Sequence, residues 1–186
     1  FIVLAIVLST ALWSAPTPFT FLAIFTVAWL GMVGLIDDYT KLRGTKRGLS
    51  SLEKLILQVF LGLALGFVLY YFMKDMRYGM RLNVPFVPLD KITWVLPMLV
   101  FVGLTVLVVV GSSNAVNLTD GLDGLAIGCT IMASLAFTII SYMAGNAAFA
   151  SYLKVPYIPG AGELTVFCSA ITGAGLAFLW FNCSPA

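Results

Sequence analysis

Residues 93–124 read TWVLPMLVFVGLTVLVVVGSSNAVNLTDGLDG, an uncharged apolar run that leads into a polar segment. The apolar part, 93–111, has about the length that an α-helix needs to cross a ~30 Å hydrocarbon core. The polar part carries two carboxylates, Asp120 and Asp123. Ionised carboxylates are costly at membrane level, so at the end of a span they indicate a functional site. The stretch therefore predicts a membrane helix that ends in such a site.

The same pattern recurs along the whole chain, which is 61% hydrophobic and only 10% charged. We predict an all-α polytopic membrane protein, a single transmembrane domain over 1–186 with five full transmembrane helices and a partial one at the N-terminus. The predicted spans are 1–13 (partial), 19–36, 55–73, 93–111, 124–144 and 164–181. The chain starts with Phe1 and no basic region precedes its first apolar block, so we expect a fragment rather than a secretory signal.

Composition excludes several classes of function. The net charge of +2 comes from ten Lys and Arg against eight Asp and Glu, which gives no footprint for nucleic acid. The absence of histidine removes catalytic triads and zinc-protease motifs from this sequence. The three cysteines lack the spacing of a metal site, so they are expected to be packing residues.

The number of spans between the links decides which links share a membrane face. The links 37–54 and 112–123 and the tail 182–186 are separated by two spans each, so they should emerge on one face. The links 74–92 and 145–163 should emerge on the other and resemble ordinary connectors. Basic residues are equally numerous on both faces, so the charge bias leaves the orientation open.

Asp37 and Asp38 follow the span 19–36 directly. Neighbouring residues on a helix point about 100° apart, so two different roles are expected for them. Two adjacent carboxylates at a low-dielectric boundary also favour a compensating cation, and Mg²⁺ shared with a diphosphate would supply it. The alternative is a solvated acidic pair, although negative charge at a helix C-terminus opposes the helix dipole.

A basic stretch, KLRGTKRG at 41–48, follows the acidic pair. Taken alone it is best interpreted as a solvated turn, and beside the carboxylates it can also hold anionic headgroups or a phosphorylated substrate. Ser50 is a candidate N-cap for the next helix, with Glu53 three residues later. Lys54 at the start of that span either extends to the interface or serves as a point charge for phosphate.

Amide and carboxylate side chains recur at every third position before the fourth full span: Asn114, Asn117, Asp120 and Asp123. On an α-helix this spacing drifts by about 60° per step, so the four would align only on a tighter or broken helix. Gly111, Gly121 and Gly124 favour such a break, which is tolerated where the backbone lines a cavity. An asparagine can pair with a uracil-like edge, and an aspartate can accept from an imide N–H or a ribose hydroxyl.

Three motifs together resemble one known family. GLIDDYTK at 34–41, RGLSSLEK at 47–54 and GSSNAVNLTDGLDGLA at 111–126 are similar to the polyprenyl-phosphate N-acetylhexosamine-1-phosphate transferases, and the similarity continues to FNCSPA at 181–186. Within that family, the DDY sequence and Thr119 look more like the members that use UDP-MurNAc-pentapeptide than like the GlcNAc-1-phosphate transferases.

The resemblance implies a bacterial inner-membrane enzyme of peptidoglycan synthesis with its active face in the cytoplasm. Such an enzyme transfers phospho-MurNAc-pentapeptide from UDP-MurNAc-pentapeptide to undecaprenyl phosphate and yields lipid I and UMP with Mg²⁺. Its expected partners are these two substrates and membrane lipid, without nucleic acid. A homodimer is a further arrangement that the sequence leaves open.

The family's functional positions map onto this sequence one by one. Asp37 and Asp38 match its acidic pair, with expected catalytic and metal-binding roles, and Lys54 matches its active-site lysine. The positions that match its nucleoside site are Asn117, Asp120, Asp123 and Asn182, with Asn114 in the same motif. The family's third aspartate falls beyond Ala186, so we expect the main metal ligand outside this sequence and no activity from the chain alone.

Two alternatives stay open at this point. A GlcNAc-1-phosphate transferase would carry similar motifs. An ion-coupled membrane transporter also uses intramembrane carboxylates and broken helices, but it requires polar groups at mid-span or on both faces. The mid-span residues here are almost wholly apolar.

Overall fold

The computed structural model describes residues 1–42, 48–76, 79–82 and 94–182. Within these ranges the chain is helical, and its extended pairing is an isolated antiparallel bridge between Arg81 and Val95. The helices are α1 (Ile2–Trp13), α2 (Pro18–Leu42), α3 (Ser51–Met73), α4 (Met98–Thr119), α5 (Leu125–Gly145), α6 (Ala147–Leu153) and α7 (Leu164–Asn182), with a 3₁₀ turn at Ala161–Glu163 before α7.

The fold class predicted from the apolar runs is confirmed. Five helices, namely α2, α3, α4, α5 and α7 with its preceding turn, are long and apolar enough to cross a membrane, and α1 is a shorter apolar helix. Large apolar side chains such as Leu99, Leu107 and Trp180 are exposed on the outside of the bundle. A helix surface of this kind suits lipid rather than water, so the chain is a multi-pass membrane protein.

The cap predicted for α3 is also confirmed. The Glu53 backbone N–H donates to Ser50 Oγ at 3.3 Å, and the Ser50 backbone N–H donates to Glu53 Oε2 at 2.7 Å. This reciprocal capping box satisfies two N–H groups that have no partner inside the helix. It fixes the residue at which α3 begins, and thereby the position of Lys54 in the first turn of that helix.

Two helices continue past the predicted spans. α2 extends through Asp37 and Asp38 to Leu42, and α4 extends through Gly111 and Asn117 to Thr119. Backbone hydrogen bonds of a helix do not stop where hydrophobicity stops, which explains the difference. The break that was expected in the polar segment occurs at its end, where Asp120 leaves helical geometry and Gly124 adopts φ 80°. The positions of the membrane boundaries along these helices remain predictions.

Glycines bring α3 and α4 into close contact. A Cβ added at Gly62 would lie 2.9 Å from Val106 Cα, and one added at Gly66 would lie 3.1 Å from Val102 Cα. Small residues at such a seam let two backbones approach in a membrane. Gly62 and Gly66 continue the four-residue spacing of Gln58, and all three residues contact α4.

The second half of the chain packs in the same manner. Gly175 of α7 accommodates the side chain of Ile131 on α5, and Ser134 and Thr172 share a buried hydrogen bond of 2.7 Å between the same helices. Between the link from α1 to α2 and the 3₁₀ turn before α7, Glu163 Oε2 accepts a hydrogen bond from the Ala15 backbone N–H at 2.7 Å. The contact of Glu163 with Ala15 and the packing of α1 on α7 join the first part of the chain to the second.

Candidate active site

A cavity of about 320 Å³ lies where the C-terminal part of α2, the start of α3 and the C-terminal part of α4 meet. Five of the site residues predicted from the sequence line it: Asp37, Lys54, Asn114, Asn117 and Asp120. Leu30, Val33 and Gly34 of α2 form its apolar side. Links 37–54 and 112–123 therefore contribute to one cavity at one end of the bundle.

The carboxylate of Asp37 is the most heavily bonded group in the cavity wall. Its Oδ2 accepts from Lys41 Nζ at 2.7 Å and from Lys54 Nζ at 2.9 Å. Its Oδ1 accepts from the Leu49 backbone N–H at 2.8 Å, and the side chain is only 11% exposed. Lys41 Nζ also lies 3.5 Å from Asp38 Oδ1, so its charge is shared between two carboxylates. Lys54 lines the cavity, where its ammonium group can contact an anionic ligand.

Gly48 permits this arrangement. It has φ +58°, a conformation that side-chain-bearing residues rarely adopt. A Cβ at this position would stand 2.5 Å from Asp37 Oδ1 and 2.9 Å from Lys41 Cε. The absence of a side chain thus allows the segment that leads into α3 to close over Asp37.

Asp38 has a different environment from its neighbour. Its side chain is 77% exposed, and Lys41 Nζ lies 3.5 Å from its Oδ1. The cavity lining contains Asp37 and not Asp38. This separation follows from the helical angle between neighbouring residues, and it leaves the carboxylate of Asp38 exposed outside the cavity.

Gln58 and Ser113 belong to the cavity wall, although the sequence interpretation did not select them. Gln58 Nε2 donates to Ser113 Oγ at 2.9 Å, and Asn114 Nδ2 donates to Gln58 Oε1 at 2.9 Å. The available signal was a lone side-chain amide in the apolar sequence of 55–73, four residues after Lys54. Polar residues inside a span usually have a partner or a function.

Asn117 of α4 and Asp120, the residue directly after α4, have side chains that can contact a ligand. The side chains of Asn117 and Asp120 line the cavity, and neither makes a hydrogen bond or an ion pair with any described residue. Asp123 lies three residues farther on in the turn between α4 and α5, outside the cavity lining. Asn117 and Asp120 therefore belong to the cavity wall, and Asp123 does not.

Asn182 lies elsewhere in the described structure. It ends α7 and borders an apolar groove together with Phe1 and Phe178. The described residues do not bring it to the cavity with Asp37 and Lys54. Arg43, Lys46 and Arg47 of the basic stretch, and the tail 183–186, fall outside the described residues.

The donor chemistry of the site is compatible with Mg²⁺. Across the described ranges, no three His, Cys, Asp or Glu residues are grouped closely enough to hold a metal ion by themselves. Mg²⁺ in phosphate-handling sites usually takes one or two carboxylates and completes its shell with water and substrate phosphate. Asp120, which has no partner among the described residues, and the exposed Asp38 are carboxylates of that kind, whereas both oxygens of Asp37 are already bonded.

Comparison with curated proteins finds relatives that share one name. A phospho-N-acetylmuramoyl-pentapeptide-transferase of Methylacidiphilum infernorum is 44% identical over 190 residues, covering 100% of this chain and 50% of the relative. The proteins of the same name from Oleidesulfovibrio alaskensis and Nitratidesulfovibrio vulgaris are 42% and 43% identical over 186 residues, with 98% of this chain and 50% of each relative covered. The chain thus spans about half the length of the curated relatives it matches.

The family comparison covers nearly all of the chain and includes every residue of the cavity. Residues 20–186 match the family described as glycosyl transferase family 4. The match extends from the start of α2 to the end of the sequence, so it contains both the Asp37 and Lys54 pair and the polar segment of α4. The chain therefore belongs to glycosyl transferase family 4.

Proposed function

We propose that the protein containing this chain transfers phospho-N-acetylmuramoyl-pentapeptide from its UDP carrier to undecaprenyl phosphate, releasing UMP and forming lipid I. The proposal includes a location in the bacterial inner membrane, with the cavity open to the cytoplasm, where the nucleotide substrate is available. The name of the relatives, phospho-N-acetylmuramoyl-pentapeptide-transferase, supports the identity of the transferred group.

One observation carries the proposal most strongly: a single cavity combines a lysine and carboxylate cluster with an amide and a carboxylate that have no partner among the described residues. Lys54 contributes positive charge from α3, while Asn117 and Asp120 contribute hydrogen-bonding groups from α4. A sugar nucleotide needs both kinds of surface, because its diphosphate is anionic and its nucleoside presents donors and acceptors.

The reaction requires two anionic phosphates to approach each other. A phosphate oxygen of the lipid forms a new bond to the β-phosphorus of UDP-MurNAc-pentapeptide, while the bond from that phosphorus to the bridging oxygen breaks. The electron pair of the broken bond leaves on UMP. Lys54 would reduce the repulsion and stabilise the charge that develops on the phosphoryl oxygens.

The bonding of Asp37 suggests its role in this reaction. A carboxylate that already holds two ammonium groups and a backbone N–H is a weak base, so we assign Asp37 to the placement of Lys54. Asp38 and Asp120 are the groups that would hold Mg²⁺ with the diphosphate. When bound, Mg²⁺ would neutralise phosphate charge and favour departure of UMP.

The proposal can be tested by UMP release from the purified full-length protein. UDP-MurNAc-pentapeptide and UDP-GlcNAc are offered separately, each with undecaprenyl phosphate and Mg²⁺. We expect UMP and a lipid-linked MurNAc-pentapeptide from the first donor and little product from the second. Product from UDP-GlcNAc alone would identify a GlcNAc-1-phosphate transferase instead, and absence of UMP with both donors would reject a phospho-sugar transferase.

A further inference from the structure

The hydrogen bonds of Asn114 determine which of its polar atoms remains free. Its Nδ2 donates to the Val110 carbonyl oxygen at 2.8 Å and to Gln58 Oε1 at 2.9 Å. A main-chain carbonyl oxygen can only accept, so the group of Asn114 that faces Val110 must be its NH₂. Both N–H bonds of the Asn114 amide are then used within the protein.

Gln58 is itself fixed in orientation. Its Oε1 accepts from Asn114, and its Nε2 donates to Ser113 Oγ at 2.9 Å. The residue is only 8% exposed, so a turned amide would lose these partners without gaining water. The backbone carbonyl of Val110 thus fixes Asn114, which in turn fixes Gln58.

The oxygen of the Asn114 amide remains available. Among the described residues no group donates to it, and Asn114 lines the cavity. We infer that Gln58 is a positioning residue that makes Asn114 an acceptor in the cavity, so that Asn114 receives an electropositive group of the ligand and not a phosphate oxygen. This inference rests on the proposed function and adds that the cavity wall at Asn114 accepts hydrogen bonds from the ligand.

The assignment divides the cavity by charge preference. Lys54 favours phosphate oxygens, whereas the amide oxygen of Asn114 repels them and accepts from hydroxyl or N–H groups or contacts a hydrated cation. Two sources can supply that chemistry: the nucleoside of the substrate, or Mg²⁺ with its bound water. Both sources predict that loss of Gln58 acts through Asn114.

The test measures binding of uridine and of UMP to the full-length protein by titration calorimetry, with and without Mg²⁺. The variants are Gln58→Met, which keeps the side-chain length but removes the acceptor, Asn114→Ala, and the double substitution. Thr105→Val is the control, because Thr105 also belongs to α4 and, among the described residues, its hydroxyl bonds to the Phe101 carbonyl oxygen of its own helix and not to the cavity. Thermal melting of each variant monitors folding.

We expect each single substitution to weaken binding by about five- to tenfold, the usual effect of one lost hydrogen bond. The double variant should bind no more weakly than Asn114→Ala, and Thr105→Val should bind like the parent. Equal losses for uridine and UMP without Mg²⁺ would identify the nucleoside as the donor. Losses that appear only when Mg²⁺ is present would identify the cation.

Other results would overturn the inference. If Asn114→Ala weakens UMP but not uridine in the absence of Mg²⁺, Asn114 contacts phosphate. If Gln58→Met adds its full effect to Asn114→Ala, or has no effect, Gln58 does not act through Asn114. If the parent binds neither ligand, the proposed function fails and this inference fails with it.

A conservative variant guards against a general folding defect. Gln58→Glu keeps an acceptor for Asn114, and its carboxylate can also accept from the Ser113 hydroxyl. Uridine binding by Gln58→Glu should therefore lie closer to the parent than that of Gln58→Met. Equal loss in both variants would contradict the positioning role.

Discussion

The Nζ atom of Lys54 lies 2.9 Å from Oδ2 of Asp37, although the two residues are 17 positions apart on different helices. Lys41 donates to the same oxygen at 2.7 Å, so one carboxylate faces two positive charges. The pairing fixes the start of α3 against the end of α2. It also holds the ammonium group of Lys54, the lysine that lines the cavity, against the C-terminal part of α2.

The first prediction concerns the two lysines. Lys54→Met should lower phospho-sugar transfer by about 100-fold or more, because it removes a preorganised charge from the cavity. Lys41→Met is the matched control: Lys41 bonds to the same Asp37 oxygen, but its side chain is 49% exposed and is not part of the cavity lining. We expect Lys41→Met to retain activity within about tenfold. Equal losses in initial rates of UMP release would refute the distinction.

The second prediction separates the two neighbouring aspartates. Asp38→Asn should reduce kcat much more than UDP-sugar binding, because its exposed carboxylate is proposed to act through Mg²⁺ on the reacting phosphate. Asp37→Asn should lower the melting temperature of the protein, since it leaves two ammonium groups around a neutral amide. Steady-state kinetics and thermal melting check the pair. A normal melting temperature for Asp37→Asn would argue against a placement role.

Most of the helices could be predicted from the sequence, because an uncharged run of about 20 apolar residues has few alternatives in a membrane. The capping box of Ser50 and Glu53 was predictable for a similar reason, since its bonds are local. The ends of α2 and α4 were not, because backbone hydrogen bonding continues after hydrophobicity stops.

The cavity was predictable only in part. Lys54 and Asp120 carry charges beside apolar runs, which makes them visible in the sequence. The contact of Gln58 with α4 depends on the relative placement of α3 and α4. The packing at Gly62 and Gly66 sets this placement, and the sequence does not reveal it. The role of Gly48 likewise depends on how the segment before α3 folds over Asp37.

The third prediction concerns the seam between α3 and α4. Gly62→Ala should lower the melting temperature in detergent by at least about 2 °C, because its Cβ would meet the Val106 backbone at 2.9 Å and force the helices apart. Gly103→Ala on α4 is the control, since nothing lies within 4 Å of its added Cβ. Gly62→Ala should also weaken UMP binding through the Gln58 and Ser113 contact. Identical melting of the two variants would contradict close packing at Gly62.

The last prediction compares two glycines with positive φ that lie outside α2 but close to it. Gly48 lies near the C-terminal end of α2, and Gly160 lies near its N-terminal end. Gly48 has φ +58° and Gly160 has φ +84°, so an alanine at either position carries a similar backbone penalty of roughly 1–2 kcal/mol. The space around them differs: a Cβ at Gly48 would stand 2.5 Å from Asp37 Oδ1, whereas the nearest atom to one at Gly160 is 3.6 Å away. Gly48→Ala should therefore displace Asp37 and with it Lys54, and reduce transfer by about tenfold or more. Gly160→Ala should lose stability through the backbone penalty alone while keeping its rate of UMP release below the melting transition. If both variants lost activity in proportion to their stability, the contact between Gly48 and Asp37 would have no specific role in the site.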